Sequence, residues 1–379
     1  MSHIIIAGDF APQCRVLKYI EEEDYSYIFS DIKHVLEAAD FSVVNLEAPI
    51  VLGEKTPIIK NGPNLYAPPK TLDALSYVGF NCVTLANNHF LDQGTGGVLD
   101  TLNTCLEKKI DYVGAGLNIF EASKTLFKVI DGDVYAFINC CEHEYSIATE
   151  KTPGCNPINP IQQFYAINEA KKTAKYVMVI VHGGIEHCDL PTLRMVEWYH
   201  FFIDAGADVV INHHQHCFSG YESYHGKLIF YGLGNFCFDR LNCQNEKWNT
   251  GYMVSLTFNN EDISFQLIPY FQCGDYPTVE LKELDDFSDN IKKLNSVIAD
   301  KTALSNALCE YMKKNDMGYD MLFLPYNNRY LKALYRRKLL PNFFTKYKLS
   351  RIRDLLLCES HNERFKCYIL DLYGKVFKK

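Results

Sequence analysis

Asp208–His216 reads DVVINHHQH, three β-branched residues followed at once by an amide and three imidazoles within four positions. A short apolar run rich in β-branched residues is the pattern of a strand buried on both faces. Polar groups gathered just beyond the carboxyl end of such a strand are how an open α/β sheet builds a ligand site. Five more runs end in the same way: IIIAGD (Ile4–Asp9), FSVVNLE (Phe41–Glu47), CVTLANNH (Cys82–His89), YVMVIVHGGIE (Tyr176–Glu186) and KLIFYGLGN (Lys227–Asn235). One ending of this kind carries little. Six at successive strand ends mark a site.

Between these runs the spacing turns helical, in EEEDYSYIFSDIKHVLEAAD (21–40), TLDALSYVG (71–79), GGVLDTLNTCLEKKI (96–110), IQQFYAINEAKKTAK (161–175) and PTLRMVEWYHFFIDAG (191–206). Strands alternating with helices of this length predict a layered α/β sheet. GYMVSLTF (251–258) and DISFQLIPYF (262–271) read as finishing strands that pair antiparallel. From about residue 281 the pattern is helical. The expected organisation is therefore an α/β domain over 1–280 and a helical, basic extension over 281–379.

Composition fits a globular chain: of 379 residues, 47% are hydrophobic and 22% charged. The 14 cysteines include Cys82, Cys140 and Cys237 inside apolar runs, with no C-x-x-C spacing, which reads as buried thiols rather than a disulfide framework. MSHIIIAGDF lacks the features of a signal peptide, so a cytoplasmic location is expected. Charge is unevenly divided. Residues 301–379 hold 17 Lys+Arg against 7 Asp+Glu, a net of +10, while the first 300 carry −18. In LKALYRRKLLPNFFTKYKLSRIRDLLL (331–357) apolar and basic residues interleave, which suits docking on the acidic body or peripheral contact with an anionic membrane. No nucleic-acid partner is expected.

Asp9, Glu47, Asn88, His182, His214 and His216 are hard oxygen and imidazole donors, the mix that suits zinc, manganese or iron, as one or two divalent ions. Arg15 and Lys60 read as solvated surface residues. No phosphate-loop spacing and no Ser-His-Asp or Cys-His nucleophile context occurs.

The ordered set Gly8-Asp9, NLEAPI (Asn45–Ile50), LANNHFLDQG (Leu85–Gly94), VHGGIEH (Val181–His187) and GADVVINHHQHCFSGYESYHGKLIFYGLGNFCF (Gly206–Phe238) resembles the CapA family of poly-γ-glutamate capsule biosynthesis. That family's fold belongs to the calcineurin-like metallophosphoesterases, so the resemblance implies a layered metallophosphoesterase-like β-sandwich flanked by helices. It spans roughly residues 3–240 and leaves 281–379 unmatched. It implies that Asp9, Asn88, His182, His214 and His216 are metal ligands and that Glu47 is the bridging carboxylate. His89 would be the proton donor, oriented by Asp92, and His213 a structural neighbour. Glu186 would bind metal, accept a substrate amine or form an ion pair. Three positions depart from the family pattern. Ala11 stands where D-x-H has its histidine, glycine replaces the aromatic of H-W-G-x-E in His182-Gly183-Gly184-Ile185-Glu186, and Asn212 replaces the glycine before the double histidine.

The expected function is metal-dependent hydrolysis of an anionic small-molecule or polymer substrate, a phosphoester or an amide-linked, polyglutamate-like chain, in capsule or exopolymer biosynthesis. The alternative is a non-catalytic assembly factor or metal-binding module.

Overall fold

The computed structural model describes residues 1–241, 245–260, 262–283, 285–315, 323–326 and 328–377. In chain order the strands are β1 (Ser2–Ala11), β2 (Phe41–Leu46), β3 (Cys82–Thr84), β4 (Asp111–Val113), β5 (Ala115–Gly116), β6 (Leu126–Ile130), β7 (Asp133–Cys141), β8 (Gly154–Cys155), β9 (Tyr176–His182), β10 (Val209–His213), β11 (Tyr221–Tyr224), β12 (Lys227–Phe230), β13 (Asn235–Phe238), β14 (Thr250–Asn259), β15 (Asp262–Gln272) and β16 (Val279–Leu281). Among the described residues they form two large sheets and the small pair β5–β8. The first sheet runs β16-β15-β14-β1-β2-β3-β4, with β13 also on β1; the second runs β11-β12-β10-β9-β7-β6.

The apolar runs became the parallel heart of each sheet. β1 pairs parallel with β2, and β2 with β3. In the second sheet β7, β9, β10 and β12 are parallel, with His213 in register with His182. As expected, β14 and β15 pair antiparallel, from Thr250 opposite Phe271 to Asn259 opposite Asp262.

Strand alternation explains how the layers stack, because successive side chains leave a strand on opposite faces. Ile4 and Ile6 join Val43, Phe137, Ile180, Ile211 and Phe230 in one cluster, so the two sheets meet face to face. Ile5 and Ala7 point the other way, into a cluster with Val16, Ile28, Phe29, Ile32, Leu72 and Leu75 from helices Cys14–Glu21, Tyr25–Glu37 and Lys70–Val78. A third cluster packs the far face of the second sheet against helices Pro160–Lys171 and Leu193–Asp204. The order is helices, sheet, sheet, helices: the layered α/β sandwich expected.

Compaction divides the chain into Met1–Tyr311 and Met312–Lys379 rather than near residue 280. Helix Asp285–Ala299 and helix Lys301–Lys314 as far as Tyr311 belong with the first unit because Phe287, Ile291, Ile298, Leu304 and Leu308 are buried in its clusters. The second unit, by itself, is helical over Arg329–Arg336, Lys346–Leu357 and Glu359–Phe377, with Tyr326 packed against Tyr335 and Phe343. Among the described residues no helix is long and apolar enough to cross a membrane.

Candidate metal centre

The carboxyl ends of the central strands of both sheets converge. From the first sheet come Asp9 on β1, Glu47 just beyond β2, and Asn88 and His89 in the loop after β3. From the second come His182 at the end of β9 and His214 and His216 beyond β10. Asp9 Oδ2 accepts the backbone N–H of His214 at 3.1 Å, tying the two sheets together at this point. Asp9 Oδ1 lies 3.8 Å from His182 Nδ1, and Asp9 Oδ2 lies 3.8 Å from His216 Nδ1. His182 Nε2 is 3.0 Å from His214 Nδ1, 3.1 Å from Asn88 Oδ1 and 3.5 Å from Glu47 Oε1. His216 Nε2 is 3.8 Å from the same Glu47 oxygen.

Two sets of donors emerge, each with ligand atoms within 4.8 Å of one another: Glu47, His182 and His214, and Asp9, Glu47 and His216. Glu47 belongs to both. Its two carboxylate oxygens are buried and have no hydrogen-bond partner among the described residues. A buried carboxylate left so is costly unless a cation or proton answers it. The residues present therefore fit divalent metal.

The electrostatics of the protein alone point the same way. Burial, reinforced by the neighbouring Glu47, drives the Asp9 carboxyl well above its usual range, and burial also raises Glu47. Burial pushes the imidazoles of His182, His214 and His216 below their usual range, and that of His213 down to about 3. Neutral imidazoles present lone pairs, and a divalent ion favours the ionised carboxylates, so a cation relieves both desolvation penalties. His214 and His216 also adopt left-handed backbone conformations, with φ of 92° and 54°. Non-glycine residues held this way carry a strain of about 1–3 kcal/mol and cluster at functional sites.

His89 forms a second constellation at the rim. Its Nδ1 is 2.6 Å from Asp92 Oδ2, which also accepts the Leu65 N–H at 2.6 Å. His89 Nε2 has no hydrogen-bond partner among the described residues. Asp92 is fully buried. Glu186 is exposed and belongs to neither donor set; its carbonyl accepts the Tyr311 hydroxyl at 3.2 Å. Ala11 is buried and brings no donor.

Two residues read as solvated surface are not. The Lys60 side chain is 3% exposed, pairs with Asp92, and sets its Nζ 3.1 Å from His89 Nδ1. Arg15 grips the buried Asp239 at 2.8 and 2.9 Å. Lys60 sits in a loop without periodicity, so its spacing held no signal. Asn45 donates to Asp9 Oδ1 at 2.7 Å, and Asn235 Oδ1 accepts from His216 Nδ1 at 2.9 Å. Both lie at strand ends already singled out, and that rule reaches them if every polar residue there is counted.

The family model described as bacterial capsule synthesis protein matches residues 3–240. A capsule biosynthesis protein CapA of Bacillus anthracis is 31% identical over 62% of this chain and 59% of its own length. The PGA biosynthesis protein CapA of Bacillus subtilis is 31% identical over 62% of each chain. This chain thus spans about three fifths of these curated relatives. Among solved structures, a hypothetical protein of Thermus thermophilus aligns with a TM-score of 0.45 at 13% identity, over 70% of this chain and 99% of that one. A 5'-nucleotidase of Candida albicans aligns at 0.40 and 9%, over 82% and 57%. Because the family model runs from β1 through the end of β13, across every donor of both sets, the chain belongs to the bacterial capsule synthesis protein family.

Proposed function

We propose that this chain is a metal-dependent hydrolase acting on a phosphoester or on an amide-linked, polyglutamate-like substrate in capsule or exopolymer biosynthesis. The observation that carries the reading is Glu47, a buried carboxylate with two unanswered oxygens shared by two donor sets. Glu47, His182, His214 and Asn88 would hold one divalent ion, and Asp9, Glu47 and His216 a second. Divalent ions in such a site polarise a phosphoryl or acyl oxygen and lower the pKa of water towards neutrality.

The chain's own residues supply the rest. Asp92, fixed by the Leu65 N–H and by Lys60, accepts from His89 Nδ1 and so sets the tautomer. That leaves His89 Nε2 to hold or deliver a proton at the leaving atom, the general-acid role whose contribution is typically about 10²–10⁴-fold. Lys60 keeps Asp92 from facing the imidazole as an unpaired charge. Burial of the donors excludes bulk water from their lone pairs. The second reading, a non-catalytic assembly factor, draws on Ala11, which leaves the Asp9 set without an imidazole from that position.

The test is His89→Ala, assayed with manganese and zinc on bis(p-nitrophenyl) phosphate and a γ-glutamyl anilide. Turnover should fall by about 10²-fold or more while metal content stays at the wild-type level. Loss of metal from the variant would contradict the assigned division of roles. Wild-type protein that binds metal yet turns over neither class supports the assembly reading.

A further inference from the structure

Glu144 lies in the segment between β7 and β8, on the outer side of the Glu47, His182 and His214 set, and has no place in the roles assigned above. The segment is pinned to the centre at both ends. The Glu142 N–H donates to the His182 carbonyl at 3.0 Å, and Ser146 Oγ donates to the Asn88 carbonyl at 2.9 Å while accepting the Leu91 N–H at 3.1 Å. Between these two anchors the exposed Glu144 carboxylate takes a hydrogen bond from the Asn88 side chain. Its Oε1 also lies 3.9 Å from His214 Nε2.

Both contacts fall on the back of a metal ligand. An amide presents its NH₂ on one side and its oxygen on the other. With the Asn88 NH₂ held by Glu144, Asn88 Oδ1 faces inward, 3.1 Å from His182 Nε2. An imidazole likewise ligates through one nitrogen and carries its proton on the other. A carboxylate beside His214 Nε2 favours the proton there and leaves the Nδ1 lone pair facing inward, 3.0 Å from His182 Nε2. Carboxylates behind ligating histidines commonly act this way, and removing them costs about 10–100-fold in metal affinity.

We infer that Glu144 is a positioning residue for the ion held by Glu47, His182, His214 and Asn88, fixing at once the amide orientation of Asn88 and the tautomer of His214. The inference rests on the metal-dependent reading of the site. It assigns Glu144 to one of the two donor sets only, because among the described residues its contacts run to Asn88 and His214 and not to Asp9 or His216.

The test is calorimetric titration of metal-free full-length wild type, Glu144→Gln and Glu144→Ala with manganese and with zinc, alongside the metal-free melting temperature of each. The wild type should show two binding events. In Glu144→Ala one event should weaken by about 10–100-fold and the other stay unchanged. Glu144→Gln, which can still accept from Asn88 but carries no charge, should weaken the same event less. The metal-free melting temperatures should agree, since the role concerns ligand orientation rather than packing. Wild-type affinities in Glu144→Ala would overturn the inference and leave the hydrolase reading intact. Complete and equal loss of one equivalent in both variants would make Glu144 a ligand, which also overturns it. A wild type that takes up neither metal would remove the hydrolase reading and this assignment together.

Discussion

At the scale of single residues, the centre is a set of groups that burial has made reluctant to carry charge. His213 shows the consequence for stability. Its imidazole sits at about 3 in the folded protein against 6.5 in the unfolded chain, with burial as the cause. Between those values the unfolded chain binds a proton that the folded one refuses. Stability from this residue is therefore complete above about pH 6.5 and is lost as pH falls towards 3, at up to ~1.4 kcal/mol per pH unit. His182, His214 and His216 are shifted in the same direction and add to the effect. Asp9 and Glu47 are raised and oppose it, since the folded state then holds protons that the unfolded state has released. Below about pH 6.5, where the unfolded imidazoles are more than half protonated, four of them outweigh two carboxyls, so the metal-free protein should melt at lower temperature at pH 5 than at pH 6.5. Thermal melts in that range check it; a melting temperature that rises on acidification would show the carboxyls to dominate.

At the scale of elements, the site depends on how β1 changes partner along its length. Ser2–Ile6 pairs antiparallel with β14, and Asp9–Ala11 pairs parallel with β13. The switch brings Gly8 so close to the Gly234 carbonyl that a Cβ there would lie 1.9 Å from its oxygen. That oxygen accepts the Asp9 N–H at 3.1 Å. Gly8→Ala must therefore push β13 off β1 and take Asp9 with it. It should cost about 1–3 kcal/mol in denaturant unfolding and weaken metal uptake; wild-type values for both would show the crossing to be pliant.

The sequence made the parallel strands, the antiparallel β14–β15 pair and the strand-end donors visible, because buried strands announce themselves as unbroken apolar runs. It did not show Lys60 or Glu144. Each reaches the centre from an irregular loop, where no period relates position to orientation, and only tertiary packing brings it to His89 or Asn88. The lone pairs of His214 and the orphaned oxygens of Glu47 are likewise properties of the assembled site.

At the scale of the whole molecule, the buried members of the three apolar clusters among the described residues end at Leu308, with Tyr311 packed against them. Helices Asp285–Ala299 and Lys301–Lys314 fall where the sequence only turned helical, and their period placed no boundary. Truncation after Tyr311 should leave a cooperatively folding protein that still takes up metal. Truncation after Glu280 removes Phe287, Ile291, Ile298, Leu304 and Leu308, each worth about 1.5–3 kcal/mol when fully buried, a sum comparable with the net stability of a domain. That shorter protein should be unfolded or insoluble, as circular dichroism and size exclusion would show; a stable 1–280 fragment would place the boundary where the sequence suggested it.

Glu47 joins two donor sets into one metal centre. Metal analysis of gently purified wild type beside the His214→Ala/His216→Ala double variant tests it most directly, since the two substitutions strike one member of each set. Close to two equivalents of transition metal are expected in the wild type, and both should be lost in the double variant. A wild type that holds none, even after reconstitution with manganese or zinc, would contradict it.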